Sequence, residues 1–149
     1  MKDQKKQRQY YSGKKKRHTI KTQVVVDAKT AKVLCTNYAK GKRHDFRLLK
    51  ESKVKAKSNT NIKVDSGYQG LQKQHTNCNL PIKRTKKNPL TKEDKKKNTQ
   101  LARDRVLNEN VIGRLKRFKV IAERYRNRRK RFGLRFNLIA GVYNYELLN

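Results

Sequence analysis

Three charged residues set at helical spacing are the best place to look for chemistry in this chain. In Asn98 to Phe118, NTQLARDRVLNENVIGRLKRF, Arg105, Glu109 and Lys116 stand at i, i+4 and i+11. Three turns of α-helix take about 11 residues, so the three fall on one stripe. An acid flanked by two cations suits a metal-assisted phosphodiester site, with Glu109 on the metal and the cations on phosphate. A second acid, Asp65, closes the short strand-like run NIKVD and is followed by Ser66-Gly67-Tyr68. Strand ends in open α/β sheets are where ligands gather. Hard divalent ions such as Mg²⁺ take carboxylate and phosphate oxygens, and a pair of them can activate the attacking oxygen and stabilise the leaving one.

Plainer readings compete and, taken residue by residue, are preferred. Arg105 and Glu109 at i, i+4 read as a helix-surface pair worth about 0.3–0.5 kcal/mol. Asp65 before Ser-Gly reads as a turn residue. The basic run Arg124 to Arg131, RYRNRRKR, with Arg124, Arg126, Arg128, Arg129, Lys130 and Arg131, reads as a solvated or phosphate-contacting segment. Tyr125 and Phe132 within and beside it would also suit base stacking.

Composition narrows the partners. The 149 residues carry 42 Lys and Arg against 11 Asp and Glu, a formal net charge of +31. Such self-repulsion is best relieved by a polyanion, which makes nucleic acid, and DNA for a phosphodiester-cutting site, the leading partner. No long apolar run exists and no signal-peptide core follows Met1, which speaks against a membrane and for an intracellular, DNA-associated protein. The apolar share of 34% is thin for a globular domain, so part of the core is expected from elsewhere. Cys35 and Cys78 have no CxxC partner and read as free thiols in a reducing compartment. His18, His44 and His75 have no zinc-ligand spacing.

The elements that must position the acids follow from periodicity. Met1 to Lys16 is a basic lead-in, and residues 17–149 form the domain. Ile20, Thr22, Val24 and Val26 alternate, predicting a strand with one buried face, and Val33 to Ala39 predicts its antiparallel partner. Asp45 is expected to cap a helix over FRLLKES. Gly67 is expected to release the chain from the Asn61–Asp65 strand through a positive φ. Tyr68 to Lys73 predicts a helical turn or two, and Asn79 to Lys83 a weak edge strand. Thr91-Lys-Glu-Asp94 resembles a helix N-terminus, and the helix is expected to run to about Tyr125 on a buried stripe of Val111, Leu115, Phe118, Ala122 and Tyr125. Leu134, Leu138, Ile139, Val142, Tyr143 and Leu147 predict a closing helix. A sheet with helices on its faces is the economical arrangement.

The blocks YYSGKKKRHTIKTQVVVD, GKRHDFRLLKES, VDSGYQG, PIKRTKKNPLT, NTQLARDRVLNENVIGRLKRFKV and ERYRNRRKRFGLRFNLIAGVYNYEL, in that order, resemble the DDE-type insertion-sequence transposases related to the Harbinger-derived nuclease domain. The resemblance covers nearly all of residues 10 to 148. It implies a ribonuclease H-like mixed sheet flanked by helices, and a triad of two aspartates and a glutamate binding divalent metal, Mg²⁺ or Mn²⁺. By the match of VDSGYQG, Asp65 stands at the second aspartate; by that of NENVIGRLK, Glu109 stands at the glutamate. Arg105, Glu109 and Lys116 fit the family's Tyr-x2-Arg-x3-Glu-x6-Lys signature, with Ala102 at the Tyr position. The family's first aspartate lies on a strand upstream of YYSGKKKRHT, where this chain offers only Met1 to Gln9. The expectation is therefore a truncated domain lacking its first strand, inactive alone and completed by an upstream polypeptide, with homo-oligomers as a further expected partner. The rival expectation is a non-enzymatic basic nucleic-acid binder, which needs only the charge.

Overall fold

A computed structural model of the chain describes residues 8–86, 88–123 and 129–148. It is a mixed α/β fold whose strands pair in twos. The order is β1 (Tyr11–Ser12), β2 (Arg17–His18), β3 (Ile20–Val26), β4 (Val33–Lys40), α1 (Asp45–Ser52), β5 (Ile62–Lys63), β6 (Cys78–Asn79), α2 (Lys92–Leu115), α3 (Lys119–Ala122) and α4 (Phe132–Glu146). β1 with β2 and β3 with β4 are antiparallel, whereas β5 with β6 is parallel. Two compact units result: Met1–Arg43 with Asn108–Asn149, and His44–Leu107.

The first unit is built on the β3–β4 hairpin. Its register runs from Ile20↔Lys40 to Val25↔Cys35, with an irregularity before Val26↔Val33. The connecting turn closes through Asp27, whose carboxylate accepts from the N–H groups of Lys29 and Thr30 and from the Thr30 hydroxyl. Those bonds, the hydroxyl's first, hold the Asp27 carboxyl below its ordinary pKa. Ile20, Val24 and Val26 pack against the core as the alternation predicts, but Thr22 is exposed. Gln23, on the opposite face, is 5% exposed, and its Oε1 accepts no hydrogen bond among the described residues.

The core joins Val33 to Val111, Leu115, Phe132, Phe136, Ile139, Ala140 and Tyr143. Phe132 stacks on Phe136 at 5.9 Å and meets Tyr38 edge-on at 5.3 Å. Two polar ties fix α4 to the hairpin. Asn144 accepts from Val33 N–H and donates to Val33 C=O, both at 2.8 Å, and the Tyr143 hydroxyl donates to Ala31 C=O at 3.1 Å. The closing helix forms where expected, but its buried face differs. Leu134, Leu138 and Val142 are exposed, while Phe132, Phe136 and Ala140 lie inside beside the expected Ile139 and Tyr143. Both faces of α4 are apolar, so periodicity alone does not choose between them.

The second unit is lightly packed. Among its described residues, Leu48 and Leu71 are the apolar side chains that become buried. Polar clamps do much of the joining. Asn98 accepts from Ile82 N–H at 2.8 Å and donates to Ile82 C=O at 2.9 Å. That clamp replaces the expected Asn79–Lys83 strand, of which only Asn79 pairs. α1 is capped by His44 without a side-chain bond, and Asp45 is the first helical residue rather than the cap, its charge still in the first turn.

α2 begins as its sequence predicts. Thr91 Oγ1 accepts from Asp94 N–H and Asp94 Oδ2 accepts from Thr91 N–H, both at 3.1 Å, a reciprocal capping box. It stops well short of Tyr125. After Leu115 the bonds tighten, Arg117 N–H to Arg114 C=O and Phe118 N–H to Leu115 C=O, and Phe118 turns extended to start α3. The turn keeps Phe118 against the core and leaves Ala122 exposed, so only part of the expected stripe is buried. Tyr125 lies outside the described residues.

Candidate metal and phosphate site

Asp65 follows β5 and caps a 3₁₀ turn, Ser66–Tyr68. Its backbone is extended, its C=O accepts from Tyr68 N–H at 3.0 Å, and its Oδ1 accepts from Ser66 N–H at 2.5 Å. The same Oδ1 lies 3.3 Å from Arg105 Nη1. Asp65 and Arg105 are thus brought together, as an ion pair whose side chains are 53% and 30% exposed. An exposed pair of this kind contributes about 0–1 kcal/mol. Oδ2 carries no hydrogen bond among the described residues, so one hard oxygen donor remains toward solvent.

A second ion pair beside it was not singled out from the sequence. Lys63 Nζ sits 2.7 Å from Asp104 Oδ2, and Gln100 donates to Asp104 Oδ1 at 3.1 Å. The Lys63 ammonium chiefly holds the Asp104 carboxyl below its ordinary value. Lys63 and Asp65 therefore grip Asp104 and Arg105 with opposite polarity, cation to acid and acid to cation. Sliding β5 against α2 would set like charges face to face, so the two pairs together fix one register. Adjacent opposite charges at Asp104-Arg105, matched by Lys63 at a strand end and Asp65 two residues on, were the available signal.

Gly67 is needed for a reason other than the one expected. Among the described residues the glycine with positive φ is Gly70, at 98°. At Gly67 an added Cβ would lie 2.5 Å from Asp45 Oδ2, so the absence of a side chain lets that carboxylate pack onto the turn. The next residue, Tyr68, feels both acids. Burial first, then the charges of Asp45 and Asp65, pushes its phenol up to about 12. A phenol raised in the folded state stabilises that state fully below its unfolded pKa of about 10. That stability is lost as pH climbs from about 10 toward about 12. The expected result is a melting temperature that falls over this window and does so less in Tyr68→Phe. Equal alkaline sensitivity in the two proteins would remove Tyr68 as the cause.

Glu109 and Lys116 belong to the first unit. Glu109 is exposed in the second half of α2. Lys116 is exposed just beyond the last helical residue, with its N–H still reaching Ile112 C=O at 3.0 Å. Lys130 and Arg131 are exposed on the 3₁₀ turn Arg129–Arg131 that leads into α4. Arg124, Arg126 and Arg128 lie outside the described residues, and of Arg129 only the backbone is described. Among the described residues no cluster of three or more His, Cys, Asp or Glu side chains is formed. The free carboxylate oxygen of Asp65 is of the right chemical class for Mg²⁺, as one ligand of several. No described helix is long and apolar enough to cross a membrane.

A carboxylate at a strand exit, ion-paired to a helix that continues into Glu109, lies on a sequence that matches one family along almost its whole length. Residues 1–144 match the family described as DDE superfamily endonuclease, and the chain belongs to that family. It is 48% identical over 143 residues to the probable transposase for insertion sequence element IS702 of Microchaete diplosiphon. That alignment covers 96% of this chain and 52% of the relative, so the chain spans about half the length of the curated relative it matches. No solved structure matches it.

Proposed function

We propose that the chain forms part of the catalytic domain of a DNA transposase with a ribonuclease H-like fold, which cuts DNA strands and joins the freed 3′ ends to new DNA. The observation that carries this reading is the family match over residues 1–144. We assign Asp65 and Glu109 as the two acids, the family's second aspartate and its glutamate, on the resemblance of VDSGYQG and NENVIGRLK. Bound divalent metal, Mg²⁺ or Mn²⁺, would supply activation of the attacking oxygen and charge stabilisation at the leaving one. Asp65 offers its open Oδ2, while Arg105 holds the other oxygen and so orients the carboxylate. Arg105 and Lys116 steady phosphates, and Arg124, Arg126, Arg128, Arg129, Lys130 and Arg131 track the DNA backbone. Two acids supply only part of a two-metal donor set, so cleavage belongs to an assembly that adds further oxygen ligands.

Two measurements test the reading. In the chain itself, with a short DNA duplex present, Mn²⁺ should broaden NMR signals around Asp65 and Glu109, and Asp65→Asn or Glu109→Gln should abolish the broadening. Fused to the part of the IS702 relative that its alignment leaves uncovered, the chain should nick supercoiled DNA with Mg²⁺. Either substitution should then cost on the order of 10²–10³-fold, as loss of a preorganised charge stabiliser does. Unchanged nicking in Glu109→Gln defeats the assignment. Asp65→Asn should leave stability within about 1 kcal/mol, since the ion pair is exposed, so lost activity is separable from unfolding.

The net charge of +31 favours a second reading, a non-enzymatic nucleic-acid binder. It predicts log affinity falling against log salt with a slope of roughly 0.9 per phosphate neutralised, and no metal effect from either amide substitution. Metal-dependent broadening that those substitutions remove rules it out.

A further inference from the structure

The hairpin β1–β2 takes no part in the site described above. Every residue from Gly13 to His18 is exposed, so the ribbon stands clear of the body. Its register, Tyr11↔His18 and Ser12↔Arg17, leaves Gly13, Lys14, Lys15 and Lys16 as the tip. Lys15 N–H donates to Ser12 Oγ at 3.4 Å, and Lys16 takes a positive φ of 48° to close the turn. An isolated two-stranded hairpin is marginal in water, and adjacent ammonium groups oppose its closure further. Lys14, Lys15, Lys16 and Arg17 form no ion pair among the described residues. No Asp or Glu occurs from Arg8 to Val26, or from Val33 to His44. The tip charge therefore looks outward for its counterion.

The root, by contrast, is firmly held. Thr19 N–H donates to Tyr10 C=O at 2.7 Å, Gly41 N–H to Thr19 C=O at 3.0 Å, and Lys42 N–H to Gln9 C=O at 3.3 Å. An added Cβ at Gly41 would lie 2.7 Å from the carbonyl oxygens of both Thr19 and Tyr10, so the bare backbone lets the end of β4 close on the hairpin. On the stem, the Tyr11 and His18 rings meet edge-on at 5.9 Å. Lys40 and Lys42 are exposed at the root, and Lys40 Nζ stands 5.9 Å over the Tyr10 ring.

We propose that β1–β2 is a finger that lies across the major groove of duplex DNA, with its tip lysines on the phosphates of one wall and Lys40 and Lys42 on those of the other. The choice of DNA rests on the transposase reading; the shape and charge of the finger do not. The major groove is about 12 Å wide and admits a two-stranded ribbon. Between Tyr10 and Lys14, four residues of roughly 3.3 Å each make a reach of about 13 Å, enough to span that width. The fixed root sets the ribbon's direction, so little order is lost on docking. Single-strand binders present aromatic faces on which bases stack. Here Tyr11 and His18 pack on each other instead, which favours a duplex. Such contacts hold the DNA and carry no sequence preference of their own.

Fluorescence anisotropy of the whole chain with a short labelled duplex, in EDTA so that no carboxylate holds metal, tests this. Lys14→Gln, Lys15→Gln and Lys16→Gln together should weaken binding about 10-fold or more at ~0.1 M salt and lower the salt slope by about 2–3. Lys29→Gln, Lys55→Gln and Lys57→Gln remove the same charge from other exposed positions and should cost less than about 3-fold. Both variants should melt as the wild type does. A duplex whose major groove is filled by glucosylated hydroxymethylcytosine should bind the wild type several-fold more weakly and leave the tip variant unchanged. In the unsubstituted chain, duplex DNA should shield Lys14, Lys15 and Lys16 from acetylation and leave Lys55 and Lys57 reactive. Equal losses in the two variants overturn the proposal. So does indifference of the wild type to the filled groove, unshielded tip lysines, or tighter binding to single strands or RNA. Each of these results leaves the Mn²⁺ test of Asp65 and Glu109 standing, whereas absence of any duplex binding overturns the finger and the transposase reading together.

Discussion

Asn144→Leu is expected to destabilise the unit formed by Met1–Arg43 and Asn108–Asn149 by about 2–4 kcal/mol, although the new side chain is similar in size. The wild-type amide satisfies both backbone groups of Val33 at 2.8 Å. Val33 is 7% exposed, so water cannot easily take over either bond. A buried donor or acceptor left unpaired costs about 1–3 kcal/mol, and here one of each is stranded. Urea unfolding followed by circular dichroism measures the loss, and hydrogen exchange at the Val33 amide reports it locally. Asn137→Ala, at an exposed position whose partner is the Thr36 hydroxyl, should change stability by less than about 0.5 kcal/mol. If the two substitutions prove equally mild, the amide clamp is not what fastens α4 to the hairpin.

Phe136→Ala should cost about 3–5 kcal/mol, whereas Leu134→Ala, two residues earlier on the same helix, should stay within about 0.5 kcal/mol. Phe136 is 2% exposed and stacked on Phe132, and its removal leaves a hole the packed ring cannot fill. Leu134 is 72% exposed, so its removal takes little contact away. The larger loss would be a substantial part of the ~5–15 kcal/mol by which a domain is ordinarily stable. A reversed order of the two effects would put Leu134 inside and return α4 to the face its leucine spacing suggested.

That helix marks the boundary of what can be read from the chain alone. β3 and β4 were legible because alternation has a period of two and the Asp27–Lys32 turn interrupts it. The start of α2 was legible because Thr91 and Asp94 act locally, each satisfying the other's backbone. Its end was not, since Phe118 continues the apolar spacing and leaves the helix only to stay against the core. In α4 the spacing fits either face, and the choice falls to Phe132 and Phe136, whose rings match the room beside Tyr38. At the candidate site, Asp65, Arg105 and Glu109 are proposed from residue type and family resemblance. The pairing of Asp65 with Arg105, and of Lys63 with Asp104, is tertiary and joins positions 40 residues or more apart, which no local pattern encodes. The clamp from Asn98 to Ile82 is of the same kind, and it explains why an edge strand was expected where none forms.

The same division of the chain bears on how it is made. The N–H of Val33 waits for an amide 111 residues further along. At roughly 5–20 residues per second of translation, about 5–20 s separate the emergence of the hairpin from that of the helix that covers it. During that interval Ile20, Val24 and Val26 have no lid, so a ribosome-bound nascent chain is a natural client for a holding chaperone. Ribosomes stalled before α4 has emerged should therefore display the hairpin in a protease-sensitive form, and stalling after it has emerged should bring resistance.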